Sequence, residues 1–273
     1  SEEALCILLY RLSYPHRLKD CLKIFGCSQT QLSVIFNDLV TYLISQYAEK
    51  LVWDRERLTI GMLYQYAEAV KCVTGLPGIW GFVDGMMRLF CHPGEDQNVF
   101  YSGYKKTHAF KFQIIVTPDG LLSSLIGPFL APVGDWVIWR SSRIVEILHD
   151  LFEEKTERLY VYDDSTYTPA FGVMGPFLAH VNKLLTTEEE AANIVMSGQR
   201  IVVEWGFAWV VNYWALNSFH SGLKLGLSPI AGYYMVATLL SNILLCISGG
   251  NQVSEKYHLL PPIVEEYLYI LNN

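Results

Sequence analysis

The 273-residue chain has few charged residues and no surplus of positive ones. Asp, Glu, Lys and Arg make up 17% of it, and 20 basic against 27 acidic residues give a net charge of −7. A strongly basic nucleic-acid-binding protein is therefore excluded by the total, so any such contact needs a local patch. With 51% hydrophobic residues, the chain can bury a sizeable core, which excludes disorder.

The chain also lacks the short motifs of several common classes. Its 6 cysteines form no C-x-x-C pair and are too scattered for a disulfide framework. This usage is typical of reduced thiols in an intracellular protein. No G-x-S-x-G, P-loop or G-x-G-x-x-G segment is present, and no internal repeat or low-complexity tract interrupts the sequence.

One uncharged stretch, residues 230–251, is long enough to be tested as a membrane helix, since spanning needs about 20 apolar residues. Asn242, Ser241 and Tyr233 interrupt the stretch, and no Lys or Arg cluster flanks it. The pattern favours a buried core helix over a membrane segment.

The first 75 residues show helical periodicity. Helices are predicted at 4–16, 17–25, 28–46 and 58–74. Ser28 and Gln31 form a capping box after Gly26, so 17–46 is helix-turn-helix-like. This segment could recognise DNA or could be an ordinary helical hairpin. The hairpin is favoured, because a recognition helix needs cations for phosphates and the second helix has no Lys or Arg before Lys50.

The remaining residues, 76–273, mix strand and helix patterns. In chain order the prediction is a strand ending at Asp84, strands 108–117 and 121–126 around a Pro118-Asp119-Gly120 turn, a helix 141–154, a strand 159–162, and a helical stretch from Thr187 with breaks at Gly198 and Gly206. This order predicts an α/β or α+β domain behind a helical N-terminal region, residues 1–75.

Acids follow two of the predicted strands, at Asp84 and at Asp163 and Asp164. Ligands collect at the carboxyl ends of strands in mostly parallel sheets, although such acids also form turns. A third acid, Glu204, lies in a very apolar helical run and needs a cation, which Arg200 at i−4 could supply structurally. The functional hypothesis is that Asp84, Asp164 and Glu204 converge on Mg²⁺ or Mn²⁺, which prefer oxygen ligands.

Several segments carry a family resemblance. They are EAL at 3–5, GFVDG at 81–85, YSGYKKTH at 101–108, DSTY at 164–167 with GPF at 175–177, RIVVEWGF at 200–207, and the ending at 242–268. Taken in this order, they resemble the blocks of PIF/Harbinger-type transposases, which are DDE-superfamily endonucleases with an RNase H-like fold.

The resemblance implies an RNase H-like mixed sheet flanked by helices over residues 76–273. It implies that Asp84, Asp164 and Glu204 are the catalytic, metal-binding acids of a DNA endonuclease that cleaves transposon ends and transfers them to target DNA. It also implies a Myb-like partner for DNA recognition and nuclear import, hence a nuclear location. Homo-oligomerisation stays open.

Departures from the family pattern keep a second function open, namely a domesticated, catalytically silent DNA- or protein-binding module. Asp163 directly precedes Asp164 and is a rival metal ligand, as is Asp135 of the "G-x-x-H-D" segment. The departures are Met86 for Thr, Gly134 for His and Ala208 for Gly.

DNA contact would use local cations near the predicted strands. The candidates are Lys105, Lys106, His108 and Lys111 near the second predicted strand, with Arg140 and Arg143 near the following helix. We expect them to line a groove for phosphates. The alternative is a solvated hairpin edge whose lysines prevent aggregation.

Overall fold

The computed structural model describes residues 1–153, 158–163, 170–179, 184–218, 223–226 and 228–269. Its helices are α1 (Glu2–Ser13), α2 (Leu18–Phe25), α3 (Gln29–Val52), α4 (Ile60–Thr74), α5 (Gln97–Phe100), α6 (Asp135–Arg140), α7 (Arg143–Phe152), α8 (Thr187–Ser197), α9 (Ile201–Tyr213), α10 (Ile230–Ser248), α11 (Gln252–Tyr257) and α12 (Val264–Leu268). Its strands are β1 (Ile79–Leu89), β2 (Tyr101–Ser102), β3 (Thr107–Val116), β4 (Leu122–Leu130), β5 (Tyr160–Tyr162) and β6 (Val173–Met174).

The strands form a mixed sheet in the order β4-β3-β1-β5-β6, with β2 beside the start of β3. Strands β1, β3 and β4 are antiparallel neighbours, whereas β5 and β6 run parallel to β1. Phe82 of β1 pairs with Tyr162, the last residue of β5. Since β1 continues to Leu89, the carboxyl end of β5 lies beside the middle of β1.

Helices cover both faces of the sheet. Phe82 and Ile114 pack in a cluster with residues of α1, α3, α9 and α10, which marks the α9 face. Val83 and Ile115 pack in a second cluster with residues of α4, α6 and α7, which marks the α6 face. The two sets alternate along β1 and β3 because successive side chains of a strand point to opposite faces.

The N-terminal helices share a hydrophobic core with the sheet. Phe36 of α3 lies 5.1 Å from Tyr233 of α10, ring to ring, and Tyr234 lies 5.1 Å from Phe112 of β3. The predicted boundary between residues 75 and 76 falls just before β1. The boundary therefore separates the N-terminal helices from the segment that contains the strands, but residues on both sides of it pack in one hydrophobic core.

The predicted helix starts and turns in the N-terminal region are present. Ser28 and Gln31 form the capping box of α3, and Gly26 ends α2 with a left-handed φ of 67°. α3 extends past residue 46 to Val52, burying Leu51. Because α3 packs on α1, α10 and β4, its helical hairpin has a structural role; DNA recognition by this segment stays a prediction.

Two helical stretches are apolar and long enough to cross a membrane by length and composition alone, Thr187–Tyr213 and Ile230–Ser248. The structure divides the first into α8 and α9, and 33% of its most apolar window is buried. In the second, α10, 67% of that window is buried, and core helices pass the same test. α10 therefore lies where the sequence pattern placed it, in the core.

Besides that of α3, further boundary predictions were wrong. β4, predicted to end at residue 126, continues to Leu130. β1 does not end at Asp84 but runs five residues further, because its second half pairs with β3 from Gln113 to Ala109. Gly206 does not interrupt α9; a Cβ there would lie 2.9 Å from Leu122 Cδ2, so the glycine allows the helix to approach the sheet closely.

Candidate active site

Asp84 lies in the middle of β1 with its side chain on the α9 face. It pairs with Ile114 of β3 and is two residues from Phe82, whose side chain is on that face. The Gly85 N–H donates to Asp84 Oδ1 at 2.7 Å and restrains the partly buried carboxylate. The acid thus projects from a rigid strand towards α9.

A small depression lies where β1, the end of β5 and the start of α9 meet. Its walls are formed by Phe82, Val83, Asp84, Tyr162, Arg200 and Val203. Arg200 is the residue directly before α9, so the local fold places this arginine in the wall of the depression that Asp84 also lines.

Glu204 lies one turn into α9 from Arg200. Arg200 Nε is 3.6 Å from Glu204 Oε1, the i,i+4 pair that was the structural alternative for this glutamate. The expectation of apolar surroundings was wrong: the Glu204 side chain is 58% exposed, because its apolar sequence neighbours point to other sides of the helix. Glu204 is therefore open to solvent, one helical turn from the Arg200 that lines the depression.

Asp163 directly follows β5, and its side chain lies on the face of the sheet opposite to that of Asp84. The N–H groups of Val161 and Asp163 donate to Gly172 and Met174 carbonyls, each at 2.9 Å, so the chain stays extended through Asp163. Its buried side chain thus belongs with Val161 on the α6 face. Asp164 lies outside the described residues, as does the rest of the DSTY block.

Asp135, the other rival ligand, also lies on the α6 face. A Cβ on Gly85, whose side-chain direction is opposite to that of Asp84, would lie 1.9 Å from Asp135 Oδ1. Asp135 Oδ2 accepts from Lys111 Nζ at 2.9 Å. The sheet therefore separates Asp135 from Asp84.

The predicted phosphate contact at Lys111 has to be corrected. Its side chain is 9% exposed, and its ammonium is held by Asp135 and by the Val133 carbonyl, 3.1 Å away. Helices cover both faces of the sheet, and Lys111 lies on the α6 face, where it is paired with the partly exposed Asp135. It is therefore unavailable to a DNA backbone.

The other predicted contacts occupy two separate surfaces. Lys105 and Lys106 are exposed in the turn between β2 and β3, and His108 packs edge-on against Tyr101 with ring centroids 5.4 Å apart. Arg140 and Arg143 are exposed on α6 and α7, across the sheet. The six candidates therefore do not form one continuous patch.

Sequence reasoning missed two residues near these surfaces. Tyr104 is 87% exposed beside the two turn lysines, with Lys105 Nζ 5.2 Å from its ring, and the aromatic inside the YSGYKKTH block was the available signal. Arg88 lies on the α9 face of β1, 4.4 Å from the Tyr234 ring, and burial lowers its pKa. No pattern in the sequence indicates that this cation is partly buried.

The donor chemistry at the depression fits a hard divalent ion. Asp84 places a carboxylate in its wall, Glu204 carries another on the helix that begins there, and Mg²⁺ and Mn²⁺ prefer such oxygens; Arg200 is the competing cation. Within the described ranges no three His, Cys, Asp or Glu side chains form a group that could hold a metal. The described residues therefore do not form a metal site by themselves.

Comparison with known families gives one match. The model of the DDE superfamily endonuclease family matches residues 83–242, more than half of the chain. That range contains Asp84, Asp164 and Glu204. No curated protein and no solved structure matches the chain. The chain belongs to the DDE superfamily of endonucleases.

Proposed function

We propose that the chain is a metal-dependent DNA endonuclease and transposase of the PIF/Harbinger type, with Asp84, Asp164 and Glu204 as its catalytic acids. The observation that carries this proposal is the depression in which Asp84 of β1 meets the start of α9, the helix of Glu204. Family membership supports the reaction class. The strand order β4-β3-β1-β5-β6, with β5 and β6 parallel to β1, supports an RNase H-like domain.

Asp164 is proposed over Asp163 and Asp135 as the second acid. Both rivals lie on the α6 face, whereas Asp84 faces α9. A carboxylate on the far side of the sheet cannot share an ion with Asp84. The DSTY block makes Asp164 the remaining candidate.

Bound Mg²⁺ or Mn²⁺ would activate an attacking oxygen and stabilise the leaving oxygen in displacement at phosphorus. The chain's own acids would hold the ions and offset their charge. Without metal, Arg200 partly neutralises Glu204. Because both side chains are about half exposed, that pair is worth at most about 1 kcal/mol, so releasing Glu204 to an ion costs little.

DNA would reach the exposed side of the depression, with its backbone held at the turn of Lys105 and Lys106. Lys106 lies eight residues before Ile114, the partner of Asp84, which is roughly 26 Å at about 3.3 Å per residue. Because the net charge is −7, further affinity for DNA is proposed to come from a Myb-like partner and from homo-oligomerisation. The proposed location is the nucleus.

Reversing both turn charges, Lys105→Glu with Lys106→Glu, is expected to weaken duplex binding roughly 10- to 100-fold and to lower its salt slope by about 2. The matched control is Arg55→Glu with Lys71→Glu, which changes net charge equally at exposed positions elsewhere. Fluorescence anisotropy against salt measures both quantities. Equal slopes for the two double variants would reject the turn as a DNA contact.

The function is tested by cleavage of terminal-repeat DNA and by thermal melting. We expect nicking with Mn²⁺ or Mg²⁺ and none with excess EDTA. An ion at 100 times its dissociation constant stabilises the folded chain by about 2.7 kcal/mol, roughly 5–10 °C for a chain of this size. An unchanged melt in millimolar Mg²⁺ and Mn²⁺ counts against an intact metal site.

The silent, domesticated module is the second candidate. Gly134 replaces the His of the family segment, and no metal-binding group occurs in the ranges that the structure describes. This candidate predicts DNA or protein binding that is indifferent to divalent ions. Cleavage that requires Mn²⁺ excludes it.

A further inference from the structure

A groove with two tryptophans lies between α9 and α11. Its volume is about 460 Å³, within the range of small-ligand sites. The lining residues are Trp205, Ala208, Trp209, Asn212, Asn251, Gln252, Val253 and Glu255. The α9 members recur at i, i+3, i+4 and i+7, so they form one continuous stripe of the helix.

The groove adjoins the proposed active site. At about 100° per residue, Glu204 lies between the side of α9 that carries Arg200 and Val203 and the side that faces the groove. Trp205 directly follows Glu204 and is partly exposed. A molecule in the groove therefore lies next to Glu204 rather than on a remote surface.

The groove combines flat apolar walls with free amides. Trp205 and Trp209 present indole surface, and within the described residues no hydrogen bond engages the side-chain amide of Asn212 or Gln252. Lys256 Nζ lies 5.9 Å from the Trp205 ring, and burial lowers the pKa of this lysine. Indole faces, amides and one nearby cation are the groups that bind a nucleobase and its phosphate.

We propose that this groove takes an unpaired nucleobase of the DNA strand held at the depression, stacked on Trp205. The proposal rests on the proposed endonuclease function for its ligand. A base drawn out of the duplex would fix the register of the neighbouring phosphodiester relative to Glu204. Bases suit the groove better than phosphates do, because Glu255 places a carboxylate in its wall.

The test is a binding cycle in EDTA, so that cleavage plays no part. Short single-stranded oligonucleotides carry 2-aminopurine or an abasic residue at successive positions. With the intact chain, quenching of the 2-aminopurine fluorescence reports stacking, and fluorescence anisotropy reports binding affinity. Stacking predicts quenching at one position, and Trp205→Ala should abolish it and weaken binding roughly 5- to 100-fold. Trp205→Phe should retain most of both, and Tyr42→Ala, an exposed aromatic on α3, should change neither.

The abasic oligonucleotide separates a base contact from a folding defect. In wild type the abasic residue should weaken binding as much as Trp205→Ala does, and it should add nothing in that variant. The base-binding proposal is rejected if the two losses of binding are additive, if Trp205→Ala quenches 2-aminopurine as wild type does, or if the chain does not bind single-stranded DNA. If the abasic residue and Trp205→Ala are coupled but DNA is not cleaved in Mn²⁺, the base-binding groove is supported and the endonuclease function is rejected. If DNA is cleaved but the two changes are not coupled, the endonuclease function is supported and the groove is rejected.

Discussion

Arg57→Ala is expected to lower the free energy of unfolding by about 3–5 kcal/mol, because it leaves the buried carboxylate of Asp119 without its cation, whereas Asp54 keeps Lys50 at 3.3 Å. The Arg57 side chain is 9% exposed and donates to Tyr66 Oη at 2.5 Å, Ser123 Oγ at 2.6 Å and Asp119 Oδ2 at 3.2 Å. Burial acts to lower the pKa of Arg57, but Tyr66, Asp119 and Asp54 outweigh it and raise the pKa. The guanidinium therefore stays charged inside the protein.

The position of this ion cluster explains why the effect should be large. Arg57 lies between α3 and α4, whereas Asp119 and Ser123 belong to the β3–β4 hairpin. One side chain thus joins the N-terminal helices to the sheet. Its loss removes the contact and also leaves Asp119 in a site that is 3% exposed.

Urea unfolding measures the prediction. Arg55→Ala, two residues away at an exposed position, is the control and should stay within about 0.5 kcal/mol of wild type. An unchanged m-value would indicate that both variants unfold over the same surface. A loss below about 1 kcal/mol for Arg57→Ala would mean that water reaches the acids and replaces the arginine.

Local patterns predicted much of the fold. The Ser28–Gln31 capping box starts α3 as expected, and the Pro118-Asp119-Gly120 turn joins two strands, of which the second runs four residues past its predicted end. Both signals act between residues near in sequence, so a single segment carries them. The second half of β1 had no such signal, because its extended form depends on pairing with β3.

The candidate site shows the same limit. The sequence could select acids beside apolar runs, but which face an acid occupies depends on strand bounds and pairing. Asp135 and Lys111 were assigned separate functions from their sequence positions, 24 residues apart, yet they bind each other on the α6 face. Arg57 and Asp119, 62 residues apart, were likewise not connected by any pattern.

Asp84→Asn, Asp164→Asn and Glu204→Gln are each expected to reduce Mn²⁺-dependent cleavage by on the order of 10³-fold or more, about 4 kcal/mol of barrier, because residues that act as a unit fail together. Each substitution keeps side-chain size and removes one negative charge that would hold an ion. Single-turnover cleavage of terminal-repeat DNA measures the rate, and melting in EDTA checks that the variants are folded. Glu190→Gln, at an exposed position of α8, is the matched control and should cleave normally.

Asp163→Asn decides between the adjacent aspartates, and the expected result follows from the alternation of β5. Because Asp163 is buried on the α6 face, its substitution should lower the melting temperature and leave the cleavage rate of the folded fraction nearly unchanged. Asp164→Asn should do the opposite. If Asp163→Asn alone abolishes both cleavage and the Mn²⁺-induced rise in melting temperature, the extended path through Asp163 does not persist with metal, and the second ligand is Asp163. If neither Asp163→Asn nor Asp164→Asn abolishes them, the acids that the resemblance selected do not form one metal site.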